Sequence, residues 1–482
     1  MNEMKRISLL LAVVWMVLSC KGTQEQPSTP VIDKEKLVKA CQNLTGGGAT
    51  ATGGRSGSVY TVTTLSDEIS PESGLPPAGS LRHAVKQSGV RLIIFQVAGT
   101  IHLTSPLTIR EPNITIAGQS APGDGICVAD YPIVVSTNNV IIQFIRCRLG
   151  NASLEKDPNT DYDAVSVNNG KNIVLDHLSC SWSVDECVSC YGNENFTMQY
   201  CFVTEALRDA GHVKGAHGYG GIWGGKNASF HHNLLAHHDS RNPRFDHDYV
   251  DTKYAGPIDY VNNVVYNWGG NSTYGGEGTT KGAGGRHINM VNNYYKYGPS
   301  TSYKNRLVDP TVACKDYCGK SPGGTVQPGK FFLNGNYMYG DENVTADNWK
   351  GSTQSKSKAG TDTRWTEGMT LLANEQTAEE AFEAVLTKAG CSLHRDAVDT
   401  RIINDVRNGT GRLIDKPADV GGYPELDPGT LPQDSDGDGI PDEWESKYGM
   451  DPKKYSDAYQ STLVTGYTNL EVYLNEIVAH LY

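Results

Sequence analysis

The stretch "IDYVNNVVY", residues 258–266, sets a pattern that the chain repeats. It places two short apolar runs of strand length on either side of a polar pair that ends in asparagine. Neighbouring copies place that asparagine thirty residues earlier and thirty residues later, and a further copy follows forty-three residues on. Runs this short cannot bury an apolar face alone, so they become stable by stacking on their neighbours. The repeat predicts a solenoid in which one column of asparagines hydrogen-bonds along the stack: Asn233, Asn263, Asn293 and Asn336.

Earlier runs of the same kind extend the predicted solenoid towards the N-terminus, from "NITIAG" at residues 113–118 to "NFTMQYCFV" at residues 195–203. A β-sandwich with asparagine turns is the alternative. It fits less well, because hairpins favour two-residue turns such as Asn-Gly between alternating strands, and such turns are scarce here. Longer inserts at residues 204–225 and 296–330 are predicted to project from one side of the coils and to wall a groove.

The composition divides the chain into four segments. The first twenty residues combine a basic start, an apolar run and a final "VLSC", which predicts an export signal with Cys20 lipidated; a simple cleaved signal is the alternative. We therefore expect an exported protein that is lipid-anchored at a bacterial outer membrane or cell surface, or else periplasmic or secreted, and that meets a membrane only through its anchor. The predicted segments are the signal at 1–20, a polar tether at 21–40, the solenoid domain with a helical and loop cover at 41–430, and a small C-terminal module at 431–482. The cover occupies residues 341–430, where "TAEEAFEAVLTKAG" predicts a helix with Thr377 as its N-cap and Glu379 and Glu380 in its first turn.

The charge of the chain excludes nucleic acid as a partner. The 482 residues carry a formal net charge of −12, whereas nucleic-acid binding needs a basic face. A polyanionic partner would need metal ions to mediate its contact with so acidic a protein.

The cysteines do not have the spacing of a disulfide scaffold. Cys314 and Cys318 bracket a loop and could pair. Four others lie inside apolar strand-like runs and are predicted to be buried free thiols: Cys127, Cys147, Cys180 and Cys201.

The segment "DSDGDGIPDEWE", residues 434–445, matches a twelve-residue calcium-binding loop. Oxygen donors and the glycine of the sharp turn both fall at the required positions. A solvated acidic linker is the alternative, but the glycine and the final glutamate are in frame. The segment predicts a structural, weakly held calcium ion in an EF-hand-like module, with these ligands: Asp434, Asp436, Asp438, the Ile440 carbonyl, Asp442 and Glu445.

A second acidic group lies in the solenoid. Asp161 and Asp163 are two residues apart, so within a strand they would share a face, and the next coil could place Asp185 and Glu186 beside them. Clustered carboxylates of this kind suit calcium. A solvated acidic rim is the alternative.

Fixed positive charge is concentrated at Arg241 and Arg244, which flank Pro243, and Lys214 lies in the insert before them. An arginine presents a planar donor fork that matches a carboxylate bidentately. The nearby histidines lack the spacing of a tetrahedral zinc site. We expect them to be structural, with adjacent pairs on opposite strand faces: His231, His232, His237 and His238.

Several motifs in order resemble the bacterial pectate lyases of polysaccharide lyase family 1, over roughly residues 41–340: "GSLRHAV", "PNITIAGQSAPGDGI", "DHLSCSWSVDE" and "SFHHNLLAHHDSRNPR". The resemblance implies an all-β fold, the right-handed parallel β-helix, and calcium-dependent cleavage of polygalacturonate by β-elimination. It implies that Arg241 removes the C5 proton and that Lys214 binds substrate. It also implies a set of calcium ligands: Asp161, Asp163 and Asp185.

The sequence departs from the family pattern at two positions. The second arginine of the family motif falls at Asp246, and Arg244 is offset from it by two residues, so substrate binding by Arg244 is an expectation of ours. A further carboxylate ligand of the family falls at Ser189. Glu186 could replace it, or calcium could bind only with substrate present.

Two other functions compete with the lyase. A β-helical polygalacturonase would use the coil aspartates as acid and base in hydrolysis, but then the arginine and lysine have no evident purpose. A non-catalytic glycan-binding solenoid would use tyrosine and tryptophan as stacking platforms. We favour the lyase, acting on the acidic polysaccharide polygalacturonate with Ca²⁺ as cofactor.

Overall fold

The computed structural model describes residues 44–246, 254–279, 285–312, 326–353 and 376–482. The predicted signal (1–20), the tether (21–40) and the loop with Cys314 and Cys318 lie outside the described residues. Among the described helices, none has the length and apolar character needed to cross a membrane.

From β2 onwards, successive strands of the described chain pass in turn through three parallel sheets. A strand pairs with the strand three places along, or four places along where β23 or β27 intervenes. Sheet A contains β1 (Ser58–Val62), β2 (Arg91–Phe95), β5 (Ile114–Ala117), β8 (Val140–Gln143), β11 (Lys171–Asp176), β14 (Glu194–Gln199), β17 (Lys226–His231), β20 (Ile258–Val261), β24 (His287–Val291) and β28 (Lys330–Asn334). Sheet B contains β3 (Gly99–His102), β6 (Ile126–Ala129), β9 (Ile145–Arg148), β12 (Ser179–Ser181), β15 (Phe202–Thr204), β18 (Leu234–Ala236), β21 (Val264–Tyr266), β25 (Tyr294–Lys296) and β29 (Tyr337–Met338). Sheet C contains β4 (Leu107–Ile109), β7 (Ile133–Val135), β10 (Val165–Asn168), β13 (Val188–Tyr191), β16 (Ile222–Trp223), β19 (Arg244–Phe245), β22 (Thr273–Gly275) and β26 (Val308–Pro310). A separate antiparallel pair joins β23 (Gly278–Thr279) to β27 (Val326–Gln327).

This topology is a parallel β-helix, as predicted, and it excludes the β-sandwich. One coil contributes one strand to each sheet, and the coils stack along the sheets. The helices lie at the ends and flanks of the stack: α1 (Leu81–Val85), α2 (Ala152–Lys156), α3 (Glu342–Ala346), α4 (Ala378–Lys388), α5 (Ala397–Asn408), α6 (Asp442–Tyr448) and α7 (Asn469–Glu476).

The predicted asparagine column occupies the turns between sheets A and B. The backbone N–H and side-chain Nδ2 of Asn233 both donate to Asn263 Oδ1, each at 3.0 Å. Asn263 donates to Asn293 in the same way at 2.9 and 3.1 Å, and Asn293 to Asn336 at 3.0 and 2.8 Å. Asn348, which the repeat did not predict, continues the column beyond Asn336 at 2.9 Å. These fully buried amides satisfy turn groups that would otherwise be unpaired in the interior.

The same turns explain why one prediction about the histidines is wrong. The residue before each ladder asparagine has a left-handed backbone, with φ of 55° at His232 and 57° at Asn262. This conformation turns the chain sharply, and among residues other than glycine it is enriched in asparagine and histidine. The rings of His231 and His232 are therefore not on opposite strand faces, because the turn brings their Nδ1 atoms within 2.9 Å.

The interior of the coils is apolar and close-packed. The side chains of Trp182, Trp223 and Trp268 are fully buried there. The four cysteines of the apolar runs are buried and free, as predicted: Cys127, Cys147, Cys180 and Cys201. Burial raises the pKa of the Cys127 thiol to about 11, so this thiol is a packing group and not a nucleophile.

The cover predicted after residue 341 contains the expected helix. Thr377 caps α4, and Glu380 completes a capping box, as the sequence indicated. A second helix, α5, which the sequence did not predict, begins after Asp396 as N-cap. Apolar residues of both helices, including Val385 and Ile402, share a buried cluster with sheet B.

The C-terminal residues pack against the first coils of sheet A. The apolar side chains of Ile440, Trp444 and Leu470 form one buried cluster with Leu92 and Ile94 of β2. The Ser56 backbone N–H also donates to Glu471 at 3.1 Å. The predicted module at 431–482 therefore shares its core with the solenoid.

Candidate active site

The turns that lead from sheet B into sheet C carry the predicted site, and we call them the B–C turns. Isolated bridges align Glu186 with Tyr219 and Tyr219 with Ser240 across three successive coils. Stacking therefore brings together residues that are far apart in the sequence. The members of this site lie just before four consecutive strands of sheet C: Asp161 and Asp163 before β10, Asp185 and Glu186 before β13, Tyr219 before β16, and Arg241 before β19.

The acidic residues of the coils meet as predicted, but for a different reason. Asp161 and Asp163 lie in the turn before β10 and not in a strand, so the expected shared strand face is wrong. Asp161 and Asp163 belong to two different groups, and Asp185 is a member of both. Carboxylate oxygens of Asp163, Asp185 and Glu186 lie within 4.8 Å of one another, and Asp161, Asp185 and His217 form a second such group.

The two central carboxyls differ in their electrostatic surroundings. Burial raises the pKa of Asp163 well above its ordinary value, and the neighbouring charge of Asp185 raises it further. Burial acts in the same direction on Asp185, but a hydrogen bond from His217 and the charge of Arg241 outweigh it, so its pKa lies below the ordinary value. The opposite directions follow from the positions of the cations, which face Asp185 more directly.

Arg241 faces this acidic group from the next coils. Its guanidinium contacts Glu186, and Nη1 lies 3.7 Å from Asp185 Oδ1. The guanidinium carbon lies 4.0 Å from the centre of the Tyr219 ring, which is cation–π distance. A left-handed backbone, with φ of 58°, aims the side chain out of the turn. The predicted catalytic arginine and the predicted calcium ligands thus belong to one site.

Two histidines complete the site, and we did not predict them. His212 Nε2 lies 2.6 Å from Asp161 Oδ1, and His217 Nε2 lies 2.7 Å from Asp185 Oδ1. Their rings stack with centres 4.9 Å apart. The Lys214 backbone N–H donates to His212 Nδ1 at 3.0 Å, so the proton of a neutral ring is on Nε2, the nitrogen that lies beside Asp161. The signal in the sequence was "GHVKGAHGYGG", an insert with two histidines beside the predicted lysine.

The two predicted substrate-binding cations are paired with acids. Lys214 Nζ lies 2.7 Å from Asp161 Oδ2, and both side chains are about half exposed. An exposed pair of this kind is weak, so a substrate carboxylate can compete for the lysine. Arg244 lies in β19, contacts the carboxylate of Glu277 and stacks over Tyr274 at 5.4 Å.

The two departures from the family pattern have structural consequences. Glu186 does join the acidic group, whereas Ser189 is buried beside Asp163. Asp246 is also buried, and its Oδ2 lies 3.0 Å from Arg286 Nε. Burial raises the pKa of Asp246 to about 6 even with Arg286 beside it. The guanidinium of Arg286, which comes from another coil, therefore lies beside Asp246, the position of the second arginine in the family motif.

The donor set of this site fits a calcium ion. Asp163, Asp185 and Glu186 offer hard oxygen ligands, which calcium prefers. Two of these carboxylates, Asp185 and Glu186, are in contact with His217 and Arg241, so their charge is partly balanced by the protein itself.

Comparison with known proteins identifies relatives along nearly the whole chain. "Probable pectate lyase C" of Aspergillus flavus is 34% identical over 456 residues, which cover 91% of this chain and 93% of the relative. The protein of the same name from Emericella nidulans is 34% identical over 461 residues, covering 94% and 96%. The chain belongs to the pectate lyase family. These two relatives are fungal, and the narrower resemblance to bacterial members stays a prediction. No family model matches the sequence.

Solved pectate lyases are similar to this member of the family at lower identity. The thermostable pectate lyase PL 47 has a TM-score of 0.48 at 14% identity, covering 75% of this chain and 99% of that chain. A pectate lyase from Bacillus sp. N165 in complex with trigalacturonate has a TM-score of 0.43 at 15% identity, covering 72% and 98%.

The C-terminal loop of this pectate lyase family member forms an acidic group of its own, which we call the loop group. Carboxylate oxygens of Asp436, Asp438, Glu445 and Asp457 lie within 4.8 Å of one another. Asp457 lies outside the twelve-residue loop, and the spacing motif could not indicate it. Burial and the neighbouring carboxylates raise the pKa of Asp438 to about 7 and that of Glu445 to about 8.

Two of the predicted calcium ligands, Asp434 and Asp442, are not in this loop group. Asp442 instead accepts hydrogen bonds from the Ser435 backbone N–H and Oγ, both at 2.7 Å. Asp434 accepts the backbone N–H groups of Gly437 and Gly439, at 2.8 and 2.9 Å. Both side chains organise the loop in the described structure. Ligation by the Ile440 carbonyl stays a prediction.

Proposed function

We propose that this protein is a calcium-dependent lyase that cleaves polygalacturonate by β-elimination at the B–C turns. The observation that carries the proposal is that Arg241 faces the Asp163, Asp185 and Glu186 carboxylates across adjacent coils. Membership of the pectate lyase family supports the choice of substrate. A surface that carries both cations and acids suits a chain of sugar carboxylates only if the acids hold a cation.

Three carboxylates would hold the calcium ion, those of Asp163, Asp185 and Glu186. When bound there, calcium withdraws charge from a substrate carboxylate and so stabilises the negative charge that develops at C5. His217 keeps Asp185 ionised and oriented through its hydrogen bond. His212 and Lys214 hold Asp161 at the edge of the group.

Arg241 takes the C5 proton in this proposal. A guanidinium must first release a proton to solvent, after which its nitrogen can accept one. The C5–H bond then breaks, its electron pair forms the C4–C5 double bond, and the C4–O glycosidic bond breaks. The leaving oxygen takes a proton from water. The Tyr219 ring under the guanidinium fixes the plane of Arg241 during this step.

The product tests the proposal. Wild-type protein incubated with polygalacturonate and calcium should release unsaturated ends that absorb ultraviolet light, and a chelator should stop the reaction until calcium is restored. Saturated reducing ends without ultraviolet absorbance would identify a hydrolase. No turnover of either kind would favour the glycan-binding solenoid.

We also propose that the C-terminal loop binds a structural calcium ion through Asp436, Asp438, Glu445 and Asp457. Buried oxygens of all four side chains have no hydrogen-bond partner among the described residues. Buried carboxylates without partners repel each other and are costly, and a divalent cation removes that cost. Titration of the full chain with calcium, followed by direct metal analysis after desalting, should give more than one bound ion.

The export of the protein remains a proposal from the sequence. We propose that residues 1–20 direct export and that Cys20 carries a lipid. Cell fractionation of the full chain should recover it with membranes, and Cys20→Ser should move it to the soluble fraction. Recovery of both forms in the soluble fraction would support a simple cleaved signal.

A further inference from the structure

A cleft lies where the adjacent coils of β25 and β29 meet the C-terminal end of α5. Its volume is about 400 Å³, which is ample for one sugar ring. The coils contribute Lys296, Tyr297, Lys304 and Tyr339, and the end of α5 contributes Arg407 and Asn408. None of these residues belongs to the site around Arg241. In the stack of sheet B, β25 lies two strands beyond β18, which leads into the turn of Arg241. Two strand spacings correspond to about 10 Å.

The charge of this cleft is opposite to that of the whole protein. Three of its lining residues are cations, and no aspartate or glutamate in the described part of the chain lines it, whereas the whole chain has a net charge of −12. Arg407 does pair with Glu383 outside the cleft, with Nη2 and Oε2 2.9 Å apart, but both side chains are well exposed. An exposed pair contributes little, so an anionic ligand can take its place.

Lys296 is held in position by the cover. Its Nζ donates to the carbonyl oxygens of Val406 and Arg407 at 2.6 and 3.0 Å. An ammonium group has three donors, so one N–H is left for a ligand in the cleft. Burial and the charge of Arg407 lower the pKa of Lys296. That direction is expected for a cation that lacks a nearby anion.

Two tyrosines add ring faces beside these cations. The rings of Tyr297 and Tyr339 are 5.4 Å apart. Lys304 Nζ lies 4.6 Å from the centre of the Tyr297 ring, and Lys296 Nζ lies 5.3 Å from that of Tyr339. The Tyr339 side chain is exposed. An aromatic face beside an ammonium matches the two sides of a sugar acid, whose ring has an apolar face and whose carboxylate is an anion.

We propose that this cleft is a second, non-catalytic binding site for a uronic acid residue of an acidic glycan. The choice of a uronic acid rests on the proposed function, because pectate is a chain of such residues. The ring faces of Tyr297 and Tyr339 receive the sugar, and Lys296, Lys304 and Arg407 bind its carboxylate. The site holds the polymer near the protein without taking part in the elimination.

The first test measures how many trigalacturonate molecules the full chain binds. Arg241→Ala is used to prevent cleavage, calorimetry is done with calcium present, and the double variant Lys304→Ala/Tyr339→Ala is compared in the same background. The expected result is loss of one binding event, or at least tenfold weaker binding at it. Lys226→Ala/Tyr254→Ala is the matched control, since this lysine–tyrosine pair has a carboxylate partner in Glu194. Identical isotherms for the cleft variant and its background would overturn the proposal.

Two further ligands identify what the cleft recognises. Fully methyl-esterified trigalacturonate keeps the sugar ring but lacks the carboxylate, and it should not bind. Inorganic phosphate should bind at least tenfold more weakly than trigalacturonate. Equal binding of phosphate would show a general anion site and would overturn the assignment to a sugar.

Kinetics of the protein with Arg241 intact separate this site from the proposed function. On long polygalacturonate, Lys304→Ala/Tyr339→Ala should raise KM three- to tenfold with kcat unchanged. Unchanged KM would contradict a role in holding the polymer. If wild-type protein gives no unsaturated product at all, the proposed function fails, while the binding experiment still decides whether the cleft exists as a site.

Discussion

The two acidic groups of this protein are built from the same chemistry but are balanced in different ways. At the B–C turns, Asp185 and Glu186 are contacted by Arg241 and His217, so the protein supplies much of the countercharge. In the C-terminal loop, no lysine, arginine or histidine of the described residues pairs with the grouped carboxylates of Asp438 and Glu445, and the charges that act on them are those of acidic neighbours. Under the function proposed above, the first group can exist without a metal ion, whereas the second needs one to be stable. In that proposal, the difference separates an exchangeable catalytic ion from a structural one.

The largest expected effect is at the arginine of the first group. Arg241→Ala should lower kcat on polygalacturonate by three to four powers of ten, about 4 to 5 kcal/mol in activation free energy. The reason is that this substitution removes the base and leaves the acidic group in place. Initial rates of ultraviolet-absorbing product measure the loss, and exposed Arg110→Ala is the control. A loss smaller than tenfold would mean that another group removes the proton.

The next largest expected effect is the stabilisation of the fold by calcium bound to the acidic group of the C-terminal loop. At a free calcium concentration a thousandfold above Kd, binding should stabilise the fold by about 4 kcal/mol. Glu445→Gln should abolish most of that gain, because it removes one buried carboxylate of the group. Thermal unfolding of the full chain with calcium and with chelator measures it, and exposed Glu443→Gln on the same helix is the control. Equal calcium stabilisation in both variants would show that the ion is bound elsewhere.

Acid should lower the free energy of unfolding, because buried histidines must then take up protons. Any comparison of the two acidic groups at different pH must subtract this contribution. Burial lowers the pKa of His238 to about 4, while an unfolded histidine titrates near 6.5. Because the folded-state pKa is lowered, the neutral ring is compatible with folding above pH 6.5, and stability is lost as pH falls towards 4. The loss for one such residue is about 3 kcal/mol at pH 4. Denaturant unfolding between pH 7 and pH 4 measures it, and a flat profile in this range contradicts it.

The smallest effect concerns the histidine that supports Asp185. His217→Asn should raise the calcium concentration for half-maximal activity about tenfold, as is typical when a group that orients a metal ligand is removed. At saturating calcium, kcat should stay within a factor of about two to three of the wild-type value, by the same reasoning. A merely structural role would leave the calcium dependence unchanged. His480→Asn, an exposed histidine near the C-terminus, is the control.

Local patterns in the sequence predicted much of the fold. The asparagine column at Asn233, Asn263 and Asn293 and the capped start of α4 at Thr377 are confirmed. These features depend on residues within one turn or on a repeat with a fixed period, and both can be read from the chain itself. The assumption that Asp161 and Asp163 share a strand face is wrong, because the strand begins after them.

The partners of the site residues could not be read in the same way. His217, Arg286 and Asp457 each stand beside a predicted residue, yet they belong to other coils or lie outside the motif that indicated it. Their positions depend on which residues the coil stacking places side by side. Unless it is known which residues of neighbouring coils stand side by side, a sequence pattern does not give the distance between two turns.

The sequence by itself determined that the chain would form stacked coils, that an arginine-rich turn and an acidic turn would belong to that stack, and that a calcium-type loop would follow. The periodicity of strand and asparagine carries that information, because every coil repeats the same local conformation. Only the tertiary structure decided which acids share a cation. The charge balance of a buried carboxylate depends on groups within a few ångströms, and the stacking of coils from distant parts of the chain sets those distances.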